Sequence, residues 1–339
     1  MRREFFAVDT ARAFAALLVV AIHVQPFADV SFWGNVVFTE AVARQAVPFF
    51  FTVTGFLLGG RFSDGKLPVP AFSHCLRRIG VLYAVWCTLY VPLAAVHLRM
   101  VLPPCDNVVF WLRSVILTGP YHLWYFPSLM EGLVLVFLVG RWLTPMRQLL
   151  CSGAVYAGAV LIGSYGVGGW MPLSMYYDPL YLGWAFAWFF LSLGIWGARR
   201  DFRRVPVWFY FAALAGQLAE TVTLHLLRPD GTFYLYLAMP FVIVGLFRLL
   251  ADAEPFFAKM GKGQALRLRR CSVLIYGVHI YFVWFFWWRP AGHALLADMF
   301  PLLPVSLAAY GVVILLSLVF CGMILYSMRR GERVLEYLS

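Results

Sequence analysis

Long apolar runs separated by short basic stretches dominate the chain. Ten of them approach the roughly 20 mostly apolar residues that a spanning helix needs. They fall at about 9–29, 42–60, 79–98, 121–140, 148–167, 181–198, 205–226, 232–251, 272–288 and 303–327. Hydrocarbon offers backbone groups no partner, so such runs are expected to close their hydrogen bonds internally as helices. A shorter apolar stretch, Asn107 to Leu117, contains Arg113 and precedes Gly119 and Pro120. It is expected to be re-entrant or interfacial, with an eleventh span as the alternative. The expected fold class is therefore all-α, a polytopic integral membrane helical bundle of about ten transmembrane helices. No loop is long enough for a soluble domain, and no linker or internal repeat interrupts the pattern. Residues 1–339 are expected to form a single transmembrane domain.

Composition agrees with lipid as the solvent. Only 13% of residues are charged and 62% are hydrophobic, whereas soluble domains carry about 25% charged residues. Aromatics at 18%, including 13 Trp and 17 Tyr, suit a protein anchored at two water–lipid boundaries. The net charge of +11 could suggest nucleic acid, but the basic residues cluster between apolar runs. That distribution argues against a nucleic-acid partner and for the positive-inside rule. Ten spans place Arg2, Arg3, Arg61, Lys66, Arg77, Arg78, Arg141, Arg147 and the clusters at 199–204, 259–270 and 329–333 on one side. That side holds twenty basic residues, against four (Arg99, Arg113, Arg228, Arg289) on the other. Both termini are thus expected to be cytoplasmic. Asp9 and Arg12 interrupt the first apolar run, so it is expected to be a retained helix rather than a cleaved signal.

The six cysteines are scattered, with only Cys105 expected in an outer loop, which leaves no disulfide framework. No CxxC or Cys/His cluster suggests a metal.

Ionisable side chains within spans cost about 2.5–3.5 kcal/mol each even on the mild insertion scale, which makes them candidates for function. Arg12 and His23 are eleven residues apart, about three turns, which puts them within roughly 20° of one helix face and about 16 Å apart along it. Asp9, three residues before Arg12, can pair with it. A cation at the cytoplasmic mouth and an imidazole near mid-membrane would suit an anionic ligand and proton transfer. A histidine merely hydrogen-bonded in the bundle is the alternative for His23. Glu131, Glu220, His225 and His279 also fall within spans, and His122 and Trp124 open the fourth. For Glu220 and His225 a structural role is expected, for Arg248 snorkelling to the nearby helix end, and for His97 no function.

Four segments resemble motifs of the membrane acyltransferase 3 family. AVDTARAFAALLVVAIH resembles its first helix, in which Arg or Lys, ten residues and then His recur, here Arg12 and His23. AVPFFFTVTGFLLGG, Ala46 to Gly60, resembles the second-helix motif, with Thr54 where Ser is usual. YHLWYF, Tyr121 to Phe126, is similar to the His-Leu-Trp segment, and CSVLIYGVHIYF to the late Ser…Tyr…His helix, with Ser272, Tyr276 and His279. The resemblance spans about 270 residues in order. It is nearest to the short stand-alone branch that includes the enterobacterial common antigen O-acetyltransferase, and extends to the membrane half of vancomycin-resistance serine racemases. No racemase or hydrolase-like domain is expected. The family's paired basic residues at the third helix are represented by Arg78, with Cys75 at the other position and His74 and Arg77 nearby.

The resemblance implies a multi-pass protein of the bacterial inner membrane that moves an acyl group, commonly acetyl, from cytoplasmic acyl-CoA to a hydroxyl or amine at the outer face. Acetyl-CoA or another acyl-CoA is then the co-substrate, no metal is needed, and an extracytoplasmic or lipid-linked glycan is the expected acceptor. His23 and Arg12 would be catalytic. Arg12, Arg77, Arg78 and His74 would bind CoA phosphates, as cations do through charge-assisted hydrogen bonds. His122, Trp124, Glu131, Tyr276 and His279 would face the acceptor, helped by Tyr176, Tyr177 and Asp178. A transporter or flippase for a small polar or lipid-linked solute is the alternative that the same buried charges allow, and an inert scaffold in envelope assembly is a third.

Overall fold

The computed structural model describes residues 5–63, 65–101, 121–166, 180–229, 231 and 233–329. Cys105, the stretch 107–117, and Tyr176, Tyr177 and Asp178 lie outside the described residues. Helices dominate, and among the described residues the one β feature is an isolated bridge between Ser63 and Lys66. In order they are α1 (Phe6–Val24), α2 (Phe32–Asn35), α3 (Ala46–Gly59), α4 (Val69–Val101), α5 (Tyr125–Val139), α6 (Pro145–Gly163), α7 (Leu180–Gly197), α8 (Trp208–Leu227), α9 (Met239–Phe257), α10 (Lys262–Phe286), α11 (Pro290–Met299) and α12 (Val305–Arg329). A helix occupies each of the ten segments expected to span. By length and composition, five described stretches are long and apolar enough to cross a membrane: Phe6–Val24, Phe32–Gly59, His122–Val139, Pro145–Gly163 and Val305–Met328. α10 and α11, bent by 84°, make a sixth if they count as one span.

Helix ends depart from the hydropathy pattern where local chemistry outweighs it. α1 stops at Val24 because Gln25 takes a left-handed conformation (φ 55°) just ahead of Pro26. α4 and α10 begin ten residues before their apolar windows. Leu, Arg, Lys, Gln and Ala are good helix formers, so helix extends past the part suited to lipid. α9 begins at Met239, later than the expected 232. The residues before it include Phe233, Tyr234 and Tyr236, which favour extended backbone, and Pro240 suits the first turn.

The described residues form two compact units, 5–50 with 201–329, and 51–200. In the first, α1 packs against α10, with α9 and α12 also touching α1, while α12 packs on α10 and α8 on α9. Three carboxylates cap helices far away in sequence. Glu254 accepts the Phe6 and Ala7 N–H groups at 2.9 and 3.0 Å, opening α1. Glu220 accepts from Leu237 and Ala238 at 2.7 and 2.8 Å, opening α9. Asp29 accepts the Ser306 N–H at 3.0 Å, opening α12, and the Ser306 hydroxyl bonds it as well. Each satisfies orphan donors that hydrocarbon could not.

In the second unit α7 packs against α5 and α6, and α4 packs against α5. Gly55 on α3 and Gly194 on α7 allow the two backbones to touch. A Cβ at Gly55 would meet the Leu191 carbonyl, and one at Gly194 the Thr52 carbonyl.

Candidate active site

α1 carries the site in the first unit, because its Asp9–Arg12 and His23 positions both meet α10. Asp9 is 6% exposed. Its carboxylate lies 3.9 Å from Arg12 Nη1, as the three-residue spacing predicts, and 3.3 Å from Arg269 Nε. Two guanidiniums therefore share one carboxylate beside the Glu254-capped start of α1. Arg269 was legible only as part of a basic loop, because its place on α10 depends on that helix starting early.

Further along α1, the His23 ring lies 5.2 Å from that of His279, with 42° between the planes. His279 is fully buried, and its Nδ1 faces two carbonyl oxygens of its own helix, Ile275 at 3.0 Å and Tyr276 at 2.9 Å. Nδ1 therefore carries the hydrogen, and Nε2 presents its lone pair. Tyr276 is also buried, with its ring 6.1 Å from His279. α12 braces α1 from another side through the Tyr310 hydroxyl, which donates to the Leu17 carbonyl. The structure thus assembles His23, His279 and Tyr276, three of the residues that the sequence singled out.

Next to this pair stands a polar cluster that the sequence did not single out as a site. Between α2 and α3 the chain passes through a π-helical turn, Val36–Val42, and a 3-10 turn, Ala43–Gln45. π turns are rare and recur at functional sites. The Ala41 carbonyl here accepts both the Gln45 and Gln217 amides, at 2.7 and 3.0 Å. Glu40 accepts the Tyr236 hydroxyl at 2.7 Å and lies 3.1 Å from His225 Nε2. One turn on, Arg44 lies 4.3 Å above the Tyr234 ring and within electrostatic range of His23. Its Nε is buried without a hydrogen-bond partner.

Elsewhere in the first unit, Arg248 is anchored rather than simply snorkelling. Its Nε donates to the Val205 carbonyl at 2.6 Å and its guanidinium pairs with Asp252.

The remaining predicted residues lie in the second unit. His74, Arg77 and Arg78 are exposed on the first turns of α4, at spacings that place them on one face. Burial pushes the Cys75 thiol up, against the pull of Arg61 and Arg78 nearby. A cavity of about 390 Å³ beside the start of α4 is lined by Lys66, Leu67, Pro68, Val69, Phe137, Gly140 and Arg141. His122 is buried in a 3-10 turn, its ring edge-on to Tyr90 at 5.5 Å, while Trp124 and Glu131 are half-buried.

A family model described as Acyltransferase domain matches residues 5–326. The chain belongs to this acyltransferase family. The family and the apolar helices make it a multi-pass membrane protein. Among its relatives, an amino-acid racemase of Enterococcus faecalis is 29% identical over 75% of this chain and 38% of its own length. A second amino-acid racemase of the same species is 30% identical over 48% of this chain and 22% of its own. A serine/alanine racemase of Enterococcus gallinarum is 27% identical over 92% of this chain and 45% of its own. The chain therefore spans less than half the length of these relatives. No solved structure matches it.

In this member of the family, Glu40 and Arg44 went unnoticed in the sequence because they fall at the start of their run. The signal that could have found them is their i, i+4 spacing on one helix face, followed by Pro48.

Proposed function

We propose that the chain moves an acyl group, acetyl in the first instance, from acyl-CoA to a hydroxyl or amine of an envelope glycan or other acceptor at the outer face. The observation that carries this is the α1–α10 pairing. Along one helix pair, two guanidiniums around Asp9 mark one end, and the His23–His279 pair lies farther in.

CoA phosphates would be drawn to Arg12 and Arg269 in the first unit; Arg77, Arg78 and His74, which the family resemblance suggests for the same role, are a separate candidate group within the second unit. His23, as neutral imidazole, takes the proton from the acceptor hydroxyl while its oxygen attacks the thioester carbonyl. The tetrahedral oxyanion then collapses, the C–S bond breaks, and the imidazolium returns the proton to the leaving CoA thiolate. Arg44, whose charge is felt at His23, would favour the developing negative charge. His279, with its hydrogen committed at Nδ1, offers a lone pair and a fixed ring against which His23 is oriented.

The runner-up is a carrier for a small polar or lipid-linked solute, which the buried Glu40–His225–Tyr236 group would also suit. Purified protein in lipid nanodiscs and proteoliposomes separates the two. The enzyme releases free CoA from acetyl-CoA in the presence of an envelope extract, and cells without the gene lack one acyl group on an envelope glycan or lipid by mass spectrometry. Solute uptake with no CoA release would favour the carrier.

A further inference from the structure

The Glu40–His225–Tyr236 cluster takes no part in the chemistry assigned to His23, yet it is built like a binding site. His225 is 6% exposed and Tyr236 fully buried. The Glu40 carboxylate already accepts the Tyr236 hydroxyl at 2.7 Å, and His225 Nε2 approaches the same oxygen, Oε2, at 3.1 Å. Neither ring nitrogen of His225 has a hydrogen-bond partner among the described residues; because a carboxylate can only accept, the nitrogen that approaches it, Nε2, carries the ring hydrogen. Nδ1 is then an acceptor, and it is buried with no hydrogen-bond partner. Leaving such a group unmatched is costly, so a native one calls for an explanation. Phe32 and Phe233 stand edge-on to the ring at 6.0 and 5.0 Å and fix its direction. The cluster also belongs to the end of the unit toward which α1 runs from its Arg12 end, since Phe32 follows α1 by a short loop.

We propose that His225, oriented by Glu40 and Tyr236, is an acceptor subsite whose Nδ1 receives a hydrogen bond from a hydroxyl or amine of the molecule to be acylated. The inference rests on the acyltransferase reading above. It names the chemistry the subsite selects, a neutral O–H or N–H donor. Anions gain nothing there, because the Nδ1 lone pair can only accept.

Two substitutions at one position separate this role from a structural one. In His225→Gln the side-chain amide reaches the Nε2 position and can still bond Glu40, but the Nδ1 lone pair is gone. In His225→Asn the amide oxygen can take the Nδ1 position, while the bond to Glu40 is lost. The measurement is CoA release from acetyl-CoA by purified protein in nanodiscs, with an envelope extract from cells lacking the gene as the titrated acceptor. His225→Gln should raise the half-saturating amount of extract by about three- to tenfold, the loss expected for one hydrogen bond to a neutral group. His225→Asn should raise it less, and the KM for acetyl-CoA should move in neither. Glu40→Gln is a second variant of the same shape. Its amide can donate to Nε2, which pushes the ring hydrogen to Nδ1, so it should act in the same direction as His225→Gln. If Gln and Asn behave alike, Nδ1 holds a water at most; if Asn is worse, the ring serves only to hold Glu40. Either outcome overturns the subsite. Wild-type protein that releases no CoA would instead sink the acyltransferase reading, and this inference with it.

Discussion

The imidazoles of His23 and His279 face each other at 5.2 Å, and the second is tied through Nδ1 to two carbonyls of its own helix. One ring is thus fixed and the other is set against it. If this contact orients His23, then His279→Ala should slow acyl transfer by about ten- to a hundredfold, the cost of a reacting group displaced by an ångström or so. The KM for acetyl-CoA should stay put. A variant with wild-type kcat would show that the second histidine only fills space.

Arg12 is predicted to act through binding rather than chemistry. Losing one charge-assisted hydrogen bond, about 1.5–3 kcal/mol, corresponds to a rise of roughly ten- to a hundredfold in the KM for acetyl-CoA in Arg12→Ala. Steady-state kinetics at saturating acceptor checks this. Normal donor affinity would remove Arg12 from the CoA end.

Glu220, for which the sequence leads one to expect a structural role, is a helix cap. It closes the first two free N–H groups ahead of α9. Glu220→Ala should therefore lower stability by about 0.5–2 kcal/mol, the usual worth of a helix cap, without a matching change in either KM. Thermal unfolding in detergent reads the loss. A melting temperature equal to wild type would mean the cap is dispensable.

Asp29 supplies a pH-dependent link. Burial pushes its carboxyl up, but hydrogen bonds from the Ser306 hydroxyl and N–H outweigh this and hold it below the usual range. A carboxyl depressed in the folded state adds stability above its unfolded value, about 3.9. That contribution fades as pH falls through the folded value. The stability gap between wild type and Asp29→Asn should thus be widest near neutrality and close as pH falls below the unfolded value and through the folded one. A gap that widens in acid would contradict the assignment.

Gly55, inside a segment that resembled a family motif, proves to be a place where two backbones touch. Gly55→Ala should cost about 1–3 kcal/mol through overpacking, read as lost yield of folded protein. Full yield would show that α3 and α7 can separate without penalty.

The helices of the ten apolar runs were legible, because long apolar runs leave the backbone few alternatives; the short α2 and α11 were not. Helix ends were not: Gln25 turns left-handed, and the basic starts of α4 and α10 are good helix formers that a hydropathy window discounts. Arg12 and His23 stood out since a charge in an apolar run is conspicuous, and their spacing alone put them on one stripe. Arg269, Arg44 and Glu40 did not stand out. The meaning of Arg269 and Glu40 comes from a partner far away in the chain or on another helix: Asp9 for Arg269, His225 for Glu40. Pairings of that kind are set by packing, which a single sequence does not display.

The account stands most directly on His23. Transfer of radiolabelled acetyl from acetyl-CoA to envelope acceptor should be measured for wild type and His23→Ala in nanodiscs, with both proteins shown to be folded and to bind acetyl-CoA equally. Loss of a positioned general base predicts a fall of about a hundredfold or more. Turnover by His23→Ala at the wild-type rate would contradict the account.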